Sequence, residues 1–288
     1  MKKWLRRILL YLVSAFLVLN LFCALALTYA PPIFFQSLDE AWARVYLRIQ
    51  SSNEHIDSDT LYVGDSVAGQ LFPFNSSNQL TTNGSVLAAG NYMLIANALE
   101  ANPHLTTVFY MCLPQTIGHD INRKRTCNNF VKPFLTPGQF SYLDKSITSA
   151  LDRQPIAYLY LLPAYRFAPI DEVDFTIDSQ QDDKELSDFS IHWLKKIYQL
   201  CQSKKVKLIL ASPPVAEHQR DKYQDWKAIR AQVASDPMLE QLFNGYFSTI
   251  HYYPDQYLRD KIHWQEAFLE QNRERITEQL YKDVGTAN

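Results

Sequence analysis

The stretch "DTLYVGDSVAGQLF", residues 59–72, joins a short apolar run to the tripeptide Gly64-Asp65-Ser66 and then to a helix-like segment. An apolar run of this length with β-branched and aromatic residues is typical of a buried strand. The Ser66 hydroxyl would then lie at the tip of a strand and at a helix N-terminus, where backbone N–H groups stabilise a developing negative charge. The stretch therefore predicts either a mounted nucleophile or an ordinary tight turn whose serine caps the helix.

Similar runs alternate with helix-like segments along the chain. The clearest strand candidates are residues 60–63, 106–112 and 206–212, and weaker ones are 79–82 and 246–253. Periodic apolar residues predict helices at about 86–101, 139–152, 183–203, 221–234 and 264–283. This order predicts an α/β domain of three layers, α/β/α, with a central parallel sheet. Functional loops are then expected at the carboxyl ends of the strands.

The front of the chain differs from the rest. Four basic residues lie within the first seven positions, and residues 8–30 carry no charge. As a helix, this uncharged run would be roughly 35 Å long, enough to cross a bilayer. The basic flank predicts a cytoplasmic N-terminus, so we expect a transmembrane signal anchor with everything after Pro31 on the outside. A signal sequence cleaved near Ala26 or Ala30 is the alternative.

We expect three parts along the chain. Residues 1–30 form the basic tip and the anchor, residues 31–58 a stalk helix that packs on the domain, and residues 59–288 the α/β domain. Residues 113–138 and 153–182 are long segments with proline and many aromatic side chains. They are expected either as insertions that shape a substrate cleft or as irregular packing layers.

Composition excludes several classes of function. The chain has 28 basic and 30 acidic residues, and without the four of the basic tip 24 basic ones remain, a formal charge near −6 for the domain. Such a surface does not suit nucleic acid. No CxxC, HExxH or His-rich cluster occurs, so neither a metal nor a cofactor is predicted. Cys112 and Cys127 are left open between a disulfide and two thiols, and Cys201 is predicted to be a small buried residue.

A serine becomes nucleophilic when a base takes its proton, and the base needs a third group to orient it. The segment "RDKIHWQ", residues 259–265, offers Asp260 and His263. In a tight loop this spacing can bring the carboxylate to the imidazole Nδ1 while Nε2 faces a serine. His119 and Asp120 are a rival pair, but their adjacency suits an Asp–Nδ1 hydrogen bond poorly.

Gly64-Asp65-Ser66 at the end of an early strand, Asp260-x-x-His263 near the end of the chain and the βα pattern between them resemble the SGNH/GDSL hydrolase superfamily. The resemblance covers nearly the whole domain after the anchor. The Pro-containing loop in "LILASPPV", residues 208–215, adds to it. The resemblance implies that Ser66 is the nucleophile, His263 the general base and Asp260 its orienter.

The family also implies an oxyanion hole made by the Ser66 N–H, a glycine in a second block and an asparagine in a third. The run "NGSVLAAGNY" offers Gly84 and Gly90, of which Gly90 is preferred as the residue that opens a helix. After strand 106–112 the family pattern is Gly-x-Asn-Asp, but this chain has Leu-Pro-Gln-Thr. Gln115 or Asn91 is expected to replace the missing donor, whose loss costs about 10²–10³ in rate.

These features predict a membrane-anchored, extracytoplasmic serine esterase. The resemblance implies acyl esters, above all acetyl esters, of cell-envelope polysaccharides as substrates. An O-acyltransferase with the same triad and a membrane protein as acyl donor is one alternative, since both reactions share the first half-reaction. A non-catalytic envelope protein for binding or assembly is a second alternative, and a lipid esterase is a third.

Overall fold

A computed structural model describes residues 2–38, 40–72, 77–122, 125–168, 185–223 and 226–286. The chain begins with a long apolar helix, α1 (Lys2–Tyr29). By length and composition α1 is able to cross a membrane, and most of its side chains are exposed. Only near its C-terminal end do Cys23 and Leu27 become buried against the rest of the protein.

Four parallel strands form the central sheet in the order β2-β1-β3-β4. Their bounds are β1 (Thr60–Gly64), β2 (Gln79–Thr81), β3 (Thr107–Met111) and β4 (Lys207–Ala211). The register pairs Leu61 with Val108, and Val108 with Leu208. The α/β class, the parallel sheet and the four corresponding strand predictions are confirmed.

The predicted strand at 246–253 is largely wrong. The structure has a 3₁₀ turn, Tyr246–Thr249, and then a two-residue strand that pairs with Val215–Ala216 outside the main sheet. The Tyr246 hydroxyl donates to the Cys112 carbonyl at 2.9 Å, and Thr249 Oγ1 accepts the Ser212 N–H at 2.8 Å. The segment therefore covers the carboxyl ends of β3 and β4 instead of extending the sheet.

Helices connect and cover the strands. They are α2 (Pro32–Ser37), α3 (Ala41–Ser51), α4 (Ser66–Leu71), α5 (Leu87–Ala101), α6 (Pro114–Ile117), α7 (Lys132–Phe134), α8 (Lys145–Arg153), α9 (Pro163–Phe167), α10 (Asp188–Lys204), α11 (Arg220–Tyr223), α12 (Lys227–Ala234), α13 (Pro237–Leu242) and α14 (Glu266–Thr286). The prediction at 139–152 is only partly right. Asp144 caps α8 by accepting the Ser146 N–H, and a 3₁₀ turn at Pro137–Tyr142 precedes it.

Helices lie on both faces of the sheet. Tyr62 and Phe109 are partners in neighbouring strands, and both contact Tyr281 of α14. Tyr110, the next residue after Phe109, points to the opposite face, where its hydroxyl accepts a hydrogen bond from Asn91 of α5. The alternation along β3 therefore places α14 and α5 on opposite sides.

A second, smaller apolar cluster joins the end of α1 to the domain. It contains Leu27, Phe35 and Trp42, and the Tyr46 hydroxyl donates to the Leu27 carbonyl at 2.8 Å. The stretch 31–58 thus packs on its neighbours through one face of α3.

The two long segments adopt short helical turns. The first contains α6, a π-helical turn at Cys127–Val131 and α7. The second contains a 3₁₀ helix at Pro155–Leu161 and α9, while residues 169–182 lie outside the described residues. All four cysteines of the chain are buried thiols, so Cys112 and Cys127 form no disulfide.

Gly64 decides how β1 ends. Its φ is 156°, and a Cβ at this position would lie 1.8 Å from the Met111 carbonyl oxygen of β3. The close approach lets the Asp65 N–H donate to that same oxygen at 3.2 Å. A side chain at position 64 would push apart the two strands that carry the carboxyl edge of the sheet.

We expect Gly64→Ala to lower the free energy of unfolding by about 3 kcal/mol, because the new methyl group must displace the β3 backbone. Denaturant unfolding of the full chain in detergent micelles measures the change. Gly138→Ala is the matched control, since no atom of the described chain lies within 4 Å of its Cβ position. Equal stability of the two variants would contradict the steric account.

Candidate active site

Ser66 is the first residue of α4 and directly follows the end of β1 through Asp65. Asp65 caps the helix: its Oδ1 accepts the N–H groups of Val67 at 3.0 Å and Ala68 at 3.1 Å. An aspartate in this position satisfies N–H groups that have no acceptor within the helix. The half-buried Ser66 side chain is thereby fixed at the start of α4.

Asp65 also connects α4 to the loop after β3. Its Oδ2 accepts the Leu113 N–H at 2.7 Å and the Thr116 hydroxyl at 3.0 Å. The side chain is buried, and this burial raises the pKa of Asp65 even though four hydrogen bonds favour the carboxylate. Asp65 is therefore inaccessible to a substrate, and its hydrogen bonds position the adjacent Ser66.

His263 lies in a loop that is closed by backbone hydrogen bonds. The Arg259 N–H donates to the His263 carbonyl at 2.8 Å, and the Gln265 N–H donates to the Tyr257 carbonyl at 2.8 Å. Within the loop, Asp260 Oδ1 accepts the His263 N–H at 2.7 Å. The carboxylate of Asp260 thus shapes the turn that carries the imidazole.

The structure brings the two ends of the domain together. His263 Nε2 lies 2.8 Å from Ser66 Oγ, and His263 Nδ1 lies 3.0 Å from Asp260 Oδ2. This is the geometry that the Asp-x-x-His spacing predicts. An Nδ1–H donated to the carboxylate leaves Nε2 as the acceptor for the serine proton.

Asp260 remains ionised in this arrangement. Burial alone would raise its pKa, but hydrogen bonds from the His263 and Ile262 N–H groups, together with the imidazole, lower the pKa of Asp260 to about 2. The side chains of His263 and Asp260 are 28% and 49% exposed. The pair therefore lies at the surface, where a large molecule can reach it.

Gln70 ties the histidine loop to the helix of the serine. Its Oε1 accepts the Trp264 N–H at 3.1 Å, and its Nε2 donates to the Trp264 carbonyl at 3.0 Å. Gln70 lies four residues after Ser66, so both face the same side of α4. Trp264 is fully buried against Tyr253 and Phe268. Gln70 is not among the residues predicted from the sequence, although its i+4 spacing from Ser66 is a usable signal.

The two residues predicted to form the oxyanion hole, Gly90 and Asn91, lie within α5 and not at its start. The helix after β2 begins at Leu87, so Gly90 lies inside it and does not open it. A Cβ on Gly90 would lie 2.5 Å from Val86 and 3.0 Å from Phe134, which makes close packing the reason for this glycine. Asn91 is buried, and its Nδ2 donates to the Leu87 carbonyl and the Tyr110 hydroxyl.

Gly84, and not Gly90 as predicted, lies between the end of β2 and the start of α5. It begins the 3₁₀ turn Gly84–Val86 after β2, and Asp65, Asn83 and Gly84 line one small cavity. A Cβ on Gly84 would lie 2.4 Å from Thr116 Cγ2, and the Thr116 hydroxyl binds Asp65. Gly84 therefore lies close to the start of α4. Gln115 is half-buried in α6.

The rival pair His119 and Asp120 is not arranged as a base and its orienter. Asp120 Oδ1 accepts from the backbone and the side chain of Asn122, both at 2.8 Å. His119 Nδ1 lies 3.2 Å from the Gly84 carbonyl oxygen. In the described part of the chain, no group of three or more His, Cys, Asp and Glu side chains is placed to hold a metal ion.

Comparisons of the chain with family models, with curated proteins and with solved structures found no match.

We expect Gln70→Ala to lower the rate at which a fluorophosphonate labels Ser66 by about 10–100-fold, because the loop that carries His263 loses the two hydrogen bonds between Gln70 and the Trp264 backbone. Gln70→Glu keeps an acceptor for the Trp264 N–H and should lose less. Gel-based labelling of the full chain measures the rate. Gln241→Ala is the control, since that exposed side chain binds Tyr198 on α10. Labelling of Gln70→Ala at the wild-type rate would refute this positioning role.

Proposed function

We propose that this protein is a membrane-anchored, extracytoplasmic serine esterase of the SGNH type. The observation that carries the proposal is the hydrogen-bonded chain from Ser66 through His263 to Asp260. The strand order β2-β1-β3-β4 adds support, because it is the order of the first four strands in a flavodoxin-like, three-layer α/β/α fold. Ser66 then lies at the carboxyl edge, where such folds bind their ligands.

The reaction follows from the order of the three side chains. His263 Nε2 takes the proton of Ser66 while Oγ attacks the ester carbonyl carbon, and Asp260 stabilises the imidazolium. The tetrahedral intermediate collapses, His263 returns the proton to the departing alcohol oxygen, and the acyl group stays on Ser66. Water then loses a proton to His263 and attacks the acyl-enzyme, which releases the carboxylic acid and restores the serine.

Backbone N–H groups at two helical N-termini are proposed to stabilise the oxyanion. Ser66 is the first residue of α4, and Gly84 is the first residue of the turn that leads to α5. N–H groups at such positions point out of the helix and are available to an anion. Gly84 replaces Gly90 in this role, and Gln115 is the remaining candidate for a side-chain donor.

The proposed location rests on α1. Its apolar surface is exposed over most of its length, which water does not favour and lipid does. The basic residues before it favour a cytoplasmic N-terminus, so the domain lies outside. An outward-facing domain held at a membrane meets the polymers of the cell envelope.

Esters on such polymers, above all acetyl esters, are the proposed substrates. The surface position of His263 and Asp260 suits an ester carried on a bulky chain. Transfer to a sugar hydroxyl differs from hydrolysis only in the acceptor that attacks the acyl-enzyme. An O-acyltransferase that receives its acyl group from a membrane donor is therefore the alternative function.

A fluorophosphonate should label the full-length protein, and Ser66→Ala should abolish labelling because the nucleophilic oxygen is gone. Asp260→Asn should lower the rate about 10³–10⁴-fold, since it disturbs the imidazole tautomer. Ser212→Ala is the matched control: Ser212 follows β4 as Ser66 follows β1, but it is buried and donates to the Pro213 carbonyl. Wild-type protein that folds and stays unlabelled would instead favour the non-catalytic alternative.

Hydrolysis and transfer are separated by the fate of the acyl group. With an acetyl ester as the only substrate, we expect release of acetate that depends on Ser66. Adding an acetyl-free oligosaccharide should leave acetate as the main product, measured by mass spectrometry of both pools. Acetylation of the oligosaccharide at the expense of acetate would reassign the protein as an acyltransferase.

A further inference from the structure

The domain contacts α1 deep within its length. The Ala164 N–H in α9 donates to Asn20 Oδ1 at 3.2 Å, although α1 continues to Tyr29. Tyr29 lies nine positions after Asn20, which is about 14 Å along a helix axis. The segment before and within α9 therefore runs alongside the apolar helix.

The charge pattern of α1 fixes how deep Asn20 lies if the helix spans a bilayer. Arg6 and Arg7 belong at the interface, so the hydrocarbon core begins near Ile8. Asn20 is then about 18 Å from that boundary, in a hydrocarbon core of about 30 Å. Asn20, and Ala164 with it, would lie roughly 10 Å below the outer edge of the core.

The surface of α1 at this level agrees with that depth. Cys23 and Leu27 are buried on the side that faces the domain, whereas Phe22 and Leu25 in the same turns are exposed. If these turns stood in water, the remaining apolar stretch before Asn20 would be about 18 Å long, too short to cross a bilayer. Both faces of α1 are then in a favourable environment: Phe22 and Leu25 contact lipid, and Cys23 and Leu27 contact the domain.

We propose that residues 155–168, named here the embedded segment, lie within the outer leaflet of the membrane and contact lipid acyl chains. This inference rests on the proposed membrane-spanning role of α1, and it is independent of the catalytic proposal. The domain is then held by two elements, and its orientation to the membrane is fixed.

The composition of the embedded segment suits lipid. It reads "PIAYLYLLPAYRFA" and contains one charged residue, Arg166. That guanidinium is buried and points inward, where it donates to the carbonyls of Tyr160 and Leu135. Ile156 is 51% exposed and Leu162 is half-buried, so the outward surface is apolar except at its start, where the Tyr158 hydroxyl donates to the Asp152 carboxylate at 2.7 Å.

Backbone N–H groups of the embedded segment have hydrogen-bond acceptors within the protein, as a lipid environment requires. In the 3₁₀ helix and α9, the N–H groups of Ala157, Leu162 and Tyr165 donate to carbonyls three residues earlier. The Ala164 N–H belongs to the first turn of α9 and has no acceptor within that helix. Asn20 supplies the acceptor, which gives a reason for a polar residue inside the apolar run of α1.

Spin-label accessibility of the full-length chain in phosphatidylcholine vesicles tests the proposal. A nitroxide is attached at Leu162→Cys, with Phe22→Cys as the lipid reference and Ser203→Cys, exposed in α10, as the aqueous reference. The four native thiols are buried, and the wild-type protein gives their background labelling. Collisions with oxygen, which is enriched in lipid, are compared with collisions with a water-soluble nickel chelate.

The label at residue 162 is expected to favour oxygen over nickel, as the label at residue 22 does and the label at residue 203 does not. Nickel-favoured accessibility at residue 162 with oxygen-favoured accessibility at residue 22 would overturn the embedded segment and leave the anchor in place. Nickel-favoured accessibility at residue 22 as well would overturn the anchor, and this inference with it. Neither result bears on the labelling of Ser66.

Discussion

The Asp65 carboxylate, buried at the carboxyl edge of the sheet, is the group on which the geometry of the site depends. One oxygen caps α4 and the other binds the loop after β3, so four donors from two segments converge on one side chain. A buried carboxylate is tolerated only when it is hydrogen-bonded in this way. The close approach of Gly64 to Met111 brings the two segments within its reach. The position of Ser66 is fixed by these hydrogen bonds of Asp65.

The second half of the site is built on α4 as well. Ser66 begins the helix and Gln70, one turn later, holds the backbone of Trp264 beside His263. The buried Trp264 ring adds apolar packing below the loop. One short helix therefore sets both the serine and the loop of its histidine partner. A rigid support of this kind keeps the 2.8 Å contact between Nε2 and Oγ without help from a substrate.

Sequence reasoning reached the parts of the structure that local patterns control. The four strands of the main sheet have apolar runs of the right length, and the Asp-x-x-His spacing defines one closed loop. The predictions from sequence are wrong where contacts between residues distant in the chain determine the local structure. The sequence around Gly90 predicts the start of a helix, but Gly90 lies inside α5 and is packed against Phe134 of another segment. Gly84 is the glycine that follows β2. The run at 246–253 has the residues of a strand, yet its hydroxyls are used to cap β3 and β4.

The serine and its histidine partner are 197 residues apart in the chain. A protein that leaves the ribosome from its N-terminus presents Ser66 early and His263 among its last residues. The Ser66 hydroxyl consequently lacks its imidazole partner during most of synthesis. The hydrogen-bonded chain of Ser66, His263 and Asp260 is complete only when the polypeptide after Tyr257 has been made and has folded onto α4.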